Sequence, residues 1–216
     1  KANGIPLAKI ASKIMAGEKL TKYKLKYKTN KMYAVKEAVF PFSKFPDSDL
    51  LLGPEMKSTG EVMGISKTLG ESFRKASISA GTLIPSNGTV FISVNNADKL
   101  DSIPIARDLL EMGFKLVATS GTAKELARNG LEVSTVFKVG EGRPNIVDGI
   151  KNGEVNLVIN TPMGARARYD EESIGRSCIQ HGIVAITTLS GASAALRAIR
   201  VASKKIELDS IQNYHL

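Results

Sequence analysis

The sequence predicts an α/β protein: a Rossmann-like, three-layer domain around a five-stranded parallel sheet, preceded by a partial α+β segment. Two observations predict it. From Thr89 onward, apolar runs at 90–94, 115–118, 133–137, 157–160 and 184–186 alternate with helix-like stretches near 102–112, 122–129, 145–152, 171–181 and 191–201. Strands separated by helices of about ten residues imply crossover units, and therefore parallel strands. The run Leu157-Val158-Ile159 is apolar at successive positions, as a strand covered on both faces requires.

The elements before Thr89 are fewer. Residues 5–17 predict a helix with Leu7, Ile10, Ala11 and Ile14 on one face. Residues 33–70 hold a strand, Ala34 to Phe40, then a stretch punctuated through Pro54 and Gly64. Glu71 to Ser79 predicts a helix that ends in a linker with Gly81, Pro85 and Gly88. The chain thus divides into 1–70, a connecting helix and linker at 71–88, and the regular domain at 89–216. The first part is not a complete small domain, since it has few strands and no evident way to close a sheet. A start at Lys1-Ala2-Asn3, without methionine, reads as a piece of something longer.

Composition narrows the class. A chain of 216 residues, 43% hydrophobic, suits one large or two small domains with a packed core. Its longest apolar runs are short and broken by charge, so no membrane span is expected, and no signal peptide is visible. The single cysteine, Cys178, excludes an internal disulfide framework and fits a reducing cytoplasm. With only His181 and His215 beside it, neither a zinc site nor a Cys/His catalytic pair is expected. Cys178 reads as a half-buried helix residue, and His181 as a helix C-terminal residue that suits the dipole. The net charge of +9 is uneven: residues 1–88 carry 15 Lys+Arg against 7 Asp+Glu, and 89–216 carry 15 against 14. The excess gathers in Lys19, Lys22, Lys24, Lys26, Lys28, Lys31 and Lys36. A solvated or partner-facing surface explains that run better than nucleic-acid binding. Residues 22–28 also alternate with period two, which suits an extended edge with lysines outward.

Ligands of open α/β sheets bind beyond the carboxyl ends of the strands, so the residues there are the candidates. They are Asn95, Asn96 and Lys99 after the first strand; Thr119, Ser120, Gly121 and Thr122 after the second; Lys138 and Gly140-Glu141-Gly142-Arg143-Pro144 after the third; Asn160-Thr161-Pro162-Met163-Gly164 and Arg166 after the fourth; and Thr187-Thr188 after the fifth. The run Thr119-Ser120-Gly121-Thr122 joins a strand to a helix, where unpaired N–H groups and the helix dipole suit an anion; an ordinary N-cap is the plainer reading. Lysines supply charge, and an asparagine amide can read a base or ribose. Paired carboxylates, histidine and cysteine are missing from the set, so acid–base machinery is poorly represented. The composition describes a binding site for a phosphorylated metabolite.

Residues 89–200 resemble the methylglyoxal-synthase-like domain family, through Thr119-Ser-Gly-Thr122, Lys138-Val-Gly-Glu-Gly-Arg-Pro144, Ile150-Lys-Asn-Gly-Glu154 and Leu157-Val-Ile-Asn-Thr161. Within it they resemble the C-terminal allosteric domain of the carbamoyl phosphate synthetase large-subunit family. Gly4-Ile-Pro-Leu-Ala-Lys-Ile10, Val35-Lys-Glu37, Phe40-Pro-Phe-Ser-Lys-Phe-Pro46 and the run Leu52 to Gly64 resemble the end of that family's second ATP-grasp unit. The resemblance implies a cytoplasmic parent enzyme that makes carbamoyl phosphate from bicarbonate, glutamine-derived ammonia and ATP, with Mg and K ions, for pyrimidine and arginine synthesis. Its partners would be the rest of the large subunit, a glutaminase small subunit and further copies through this domain, but no nucleic acid or membrane. The implied effectors are UMP, IMP and ornithine. By the family pattern the nucleotide site falls on Ser93, Lys99, Thr119, Thr122, Lys138, Asn160 and Thr161, and the ornithine site on Glu37 and Thr187. The sequence departs from that pattern at Pro162, where a second threonine is common, at Ser120 and at 95–97.

The resemblance also implies rival roles. A methylglyoxal-synthase-like lyase needs an aspartate in a Gly-Gly-Asp turn after the third strand, but Gly140-Glu141-Gly142 stands here, with Glu141 the only substitute base. The Lys-Thr-Leu-His-Pro motif of the purine cyclohydrolase domain is absent. No catalytic residue, metal ligand or cofactor is therefore expected in this chain itself; the alternative to an effector sensor is an oligomerisation module.

Overall fold

The computed structural model describes residues 1–25, 32–39, 60–161 and 167–215. Helix α1, Leu7–Met15, occupies the expected amphipathic stretch and buries Ile10. A 3₁₀ turn, Leu20–Lys22, follows it. The extended lysine edge expected over 22–28 is corrected in its described part. The Tyr23 hydroxyl donates to the Glu18 carboxylate and Lys22 pairs with Glu18 at 3.1 Å, which folds 18–23 back on itself in place of a ladder. Residues 26–28 lie outside the described residues.

The first part contains one more strand than expected. Strand β1, Tyr33–Val39, pairs antiparallel with β2, Gly60–Ser66, placing Tyr33 opposite Ser66 and Val39 opposite Gly60. Gly64 reads as punctuation in the sequence, yet it serves packing. Helix α2, Leu69–Ala80, crosses β2 so closely that a Cβ on Gly64 would lie 1.9 Å from the Ser72 carbonyl oxygen and 2.5 Å from the Ala76 nitrogen. Polar side chains of α2 tie it to both strands. The Ser72 hydroxyl donates to the Tyr33 carbonyl (2.9 Å), Ser77 to the Glu37 carboxylate (3.0 Å) and the Lys75 ammonium to the Ile65 carbonyl (2.9 Å). The helix starts where the Thr68 side chain accepts from the Glu71 N–H and ends at Gly81, whose φ of 80° suits glycine.

The second part is the parallel sheet. Its strands are β3 (Thr89–Val94), β4 (Lys115–Thr119), β5 (Ser134–Val136), β6 (Leu157–Thr161) and β7 (Val184–Ile186), in the order β5-β4-β3-β6-β7 with every pairing parallel. The helices are α3 (Lys99–Glu111), α4 (Ser120–Arg128), α5 (Ile146–Lys151), α6 (Ala167–His181) and α7 (Leu189–Arg200). Alternation along the strands sorts the core onto two faces. Val90, Ile92, Leu157 and Ile159 pack with Leu109 of α3, Leu126 of α4 and Leu196 of α7. Phe91 and Val158 pack on the other face with Ile146 and Ile150 of α5 and Ile174 and Cys178 of α6. This is the expected three-layer domain. The third strand is shorter than expected because only 134–136 reach the β4 ladder, with a single bridge from Phe137 to Asn145 beyond it.

Helix α2 joins the two parts. Against α7, a Cβ on Gly70 would stand 2.4 Å from the Arg197 carbonyl oxygen, so backbone meets backbone. The Arg74 guanidinium donates to the Val201 and Lys204 carbonyls at 3.2 and 2.7 Å, which secures the chain just after α7.

Two predictions follow from α2. Gly64→Ala overpacks a contact between two backbones and is expected to cost about 1–3 kcal/mol or more; an unchanged urea midpoint would contradict the packing described. Glu71 is held below its ordinary 4.5, first by the hydrogen bond from the Ser66 hydroxyl (2.9 Å), with burial opposing. That stabilisation is present above pH 4.5 and lost as pH falls through the lowered value. In melts from pH 7 to pH 3, Glu71→Gln should therefore lose less stability on acidification than the native chain.

Candidate functional site

The reversal of strand order beside β3 leaves a crevice at the carboxyl ends of β3, β4 and β6, the position where open α/β sheets bind ligands. A cavity of about 360 Å³ lies there. All seven residues expected at a nucleotide site, Ser93, Lys99, Thr119, Thr122, Lys138, Asn160 and Thr161, line it.

The strand ends supply hydroxyls. Thr119 ends β4, is buried, and sits with its Oγ1 3.2 Å from Oγ of Ser93 on β3. Helix α4 starts directly after it, so Ser120, Gly121 and Thr122 form the first helical turn and not a loop before it. Thr119 makes no side-chain cap, because its hydroxyl is engaged with Ser93. The first N–H groups of α4 thus keep their open valence. Thr122 is buried, and its Oγ1 accepts from the Val94 N–H at 3.2 Å. A hydroxyl that already accepts has its proton left to donate. Asn160 pairs in register with Ser93, and its amide has no hydrogen-bond partner among the described residues. Thr161 accepts from the Asn95 N–H (3.4 Å) and side-chain amide (3.3 Å).

Asn95, a strand-end candidate, is consumed by its own loop. Its side-chain oxygen accepts from the N–H groups of Ala97 (2.9 Å) and Asp98 (3.2 Å), and its NH₂ donates to the Asp98 carboxylate (2.6 Å). This clasp sets where α3 begins, and so where Lys99 stands. Helix α3 starts at 99, three residues earlier than expected, which places Lys99 in its first turn. The Lys99 ammonium lies 3.3 Å from the position a Cβ on Gly121 would take, over the first turn of α4. A cation beside two helix N-termini is unfavourable by itself, and Lys99 makes no ion pair among the described residues. Lys138 is exposed at the opposite rim, on the loop after β5, where its N–H donates to the Glu141 carboxylate at 3.2 Å.

The wall opposite α4 was not foreseen. Val139, Ile146 and Ile174 make it apolar, and Asp170 of α6 adds a carboxylate. Burial pushes the Asp170 carboxyl above its usual range; Lys138 opposes that shift and Glu141 adds to it. Asp170 lies in the helix, well past the end of β6, so a search of the residues just after each strand passes over it. Pro162 and Arg166 lie outside the described residues. Arg143 is absent from the cavity lining, its side chain highly exposed and 3.9 Å from the Asp148 carboxylate. Glu141 is exposed and tied to its own turn.

The two residues expected at an ornithine site stand apart from this cavity's lining. Glu37 is half-buried on β1 and accepts from Ser77. Thr187 is exposed between β7 and α7. No hydrogen bond joins them among the described residues.

Residues 101–187 match the family model of the MGS-like domain. Along its whole length the chain is 52% identical to the carbamoyl phosphate synthase large chain of Archaeoglobus fulgidus. The corresponding identities are 47% for the large chain of Acidobacterium capsulatum and 50% for that of Pasteurella multocida. The chain spans 20% of the length of each of these relatives.

Cys178 corrects a smaller expectation: it is fully buried, 1% exposed, against β3 and β6. Burial pushes its thiol up to about 12, so thiolate chemistry is closed to it. His181 ends α6 with its Nδ1 2.9 Å from the Ser177 carbonyl. A thiol reagent at pH 8 is expected to leave the folded chain unlabelled and to label it fully in denaturant; stoichiometric labelling of the native state would contradict this burial.

Proposed function

The chain belongs to the carbamoyl phosphate synthase large-chain family, with an MGS-like domain over residues 101–187, and we propose that it is a regulatory region whose crevice binds a phosphorylated effector. The observation that carries the proposal is the Lys99 ammonium, unpaired among the described residues, beside the first turn of α4, which Thr119 does not cap. Lysine, helix N-terminus and the Thr122 proton converge on one spot, and a phosphate satisfies all of them at once. Asn160 and the apolar wall of Val139, Ile146 and Ile174 leave room for a ribose and base beyond it. A nucleoside monophosphate such as UMP or IMP suits that division.

The same proposal places the chemistry elsewhere. Among the described residues the cavity lining holds no histidine or cysteine and one carboxylate, which argues against an autonomous lyase. Carbamoyl phosphate synthesis, with its ATP, Mg²⁺ and K⁺ requirements and a glutaminase partner, would reside in the remainder of a longer chain and its assembly. Occupancy would be felt there through α2, which touches both the β1–β2 strand pair and α7. A second effector, ornithine, would meet the Glu37 carboxylate, whose one described partner is a neutral serine hydroxyl.

Calorimetric titration with UMP and IMP tests the site. Lys99→Met is expected to weaken binding by about 1.5–3 kcal/mol, as for loss of a charge-assisted contact, with the melting curve unchanged. Lys138→Ala, at the exposed rim, should weaken it less. Binding of the Lys99 variant within about twofold of the native chain would place the phosphate elsewhere.

A further inference from the structure

Lys99 directly follows an acidic residue, Asp98, in the sequence. Such a carboxylate has two ready partners. One is the first turn of α3, since aspartate is among the favoured N-cap residues. The other is the Lys99 ammonium, as an ion pair between neighbours. The structure shows neither. Asp98 stands at the N-cap position of α3 but makes no side-chain cap, and Lys99 makes no ion pair among the described residues. Asp101, the acidic residue in the first turn of α3, lies two positions on from Lys99 and so does not face it along the helix.

The Asp98 carboxylate is held instead by Asn95. The Asn95 NH₂ donates to it at 2.6 Å and also reaches the Thr161 carbonyl (3.2 Å) and hydroxyl (3.3 Å) at the end of β6. The Asn95 side-chain oxygen accepts from the N–H groups of Ala97 and Asp98 at 2.9 and 3.2 Å. An amide offers two donor hydrogens and two acceptor lone pairs, so this one has nothing left for a ligand. It anchors Asp98 on the β6 side of β3. Lys99 goes the other way: its ammonium lies over the first turn of α4, 3.3 Å from where a Cβ on Gly121 would stand. Two adjacent residues of opposite charge are thus parted toward opposite neighbours of β3. Asp98 is half-buried and absent from the described lining of the crevice, where Asn95 and Lys99 both appear.

We propose that Asn95 is a positioning residue for the crevice: by holding the Asp98 carboxylate aside, it keeps the Lys99 ammonium free for a phosphate. The proposal rests on the effector-site reading above and goes beyond it by naming what keeps the site cationic. Asn95 acts through Lys99 and makes no contact of its own with the effector. The consequence is electrostatic. A released Asp98 carboxylate would pair with Lys99 and repel an incoming phosphate. At contact distance each of these effects changes an affinity about fivefold even in water. A neutral amide suits the task, because it binds a carboxylate without adding a charge beside the phosphate. Its second attachment, to Thr161, fixes the direction in which Asp98 is drawn.

A double-mutant cycle tests this. UMP is titrated calorimetrically into the native chain, Asn95→Ala, Asp98→Asn and the double variant, with melting curves to check folding. Asn95→Ala releases Asp98 and should weaken UMP about 5- to 20-fold. Asp98→Asn removes the charge but keeps an acceptor for Asn95, so it should bind UMP as tightly as the native chain or more tightly. Adding Asp98→Asn to Asn95→Ala should restore the affinity to within about twofold of native, because no carboxylate is left to compete. A residue that merely shapes the loop gives another result: the double variant stays as weak as Asn95→Ala, and that overturns the proposal. UMP affinity unchanged within about twofold in Asn95→Ala overturns it too, and leaves the effector site standing. If the alanine variant does not fold, Asn95→Ser, which keeps an oxygen for the loop N–H groups but has no amide, carries the same comparison. A native chain that binds no UMP overturns the effector site itself, and the proposal with it.

Discussion

The site depends on one topological constraint: β3 is flanked by β4 on one side and β6 on the other. The connections leaving β3 and β4 reach α3 and α4 on one face, while β6 leads to α6 on the opposite face. The chain therefore opens at their carboxyl ends. Every polar group of the crevice is brought there by that divergence. Ser93 and Asn160 stand side by side because β3 and β6 are parallel and in register. Ser93 meets Thr119 because β4 lies on the other edge of β3.

The electrostatics follow from the same divergence. Helices α3 and α4 both begin at the crevice, so two positive dipole ends face it. Lys99 adds a full charge to them and no described carboxylate answers it. Such an arrangement is stable because the crevice is open to water, which solvates the ammonium until an anion arrives. The α6 side differs: among the described residues it is largely apolar, and the Asp170 carboxylate there is partly desolvated, with Lys138 opposing the effect.

The link between the two parts of the chain rests on small residues. Gly64 lets α2 approach β2, and Gly70 lets it approach α7. Ser72 and Ser77 are buried on α2 but satisfied, through the Tyr33 carbonyl and the Glu37 carboxylate. Close packing on both sides makes α2 a stiff connection, since interiors at this density deform little. It gives the proposed effector signal a physical route out of the α/β domain.

Local pattern was enough to establish the parallel sheet, its five strands, most helices and the hydroxyl- and lysine-bearing strand ends. Those features are encoded by periodicity and by residue type at a strand's end, both readable over a few residues. Strand β2 was not legible, because Gly64 looks like a turn signal until α2 is seen lying on it. Residues 22–25 alternate like a strand but find no partner strand among the described residues, and a strand without a ladder leaves its backbone unsatisfied. Asp170 escaped notice because its place in the crevice comes from α6 folding back over the Phe91 face. The sequence by itself determined which chemical groups the chain carries and at which strand ends. Only the tertiary structure decided which of them share a cavity, with Asp170 included and Glu37 and Thr187 apart from it, because strand order and helix side are set by long-range packing.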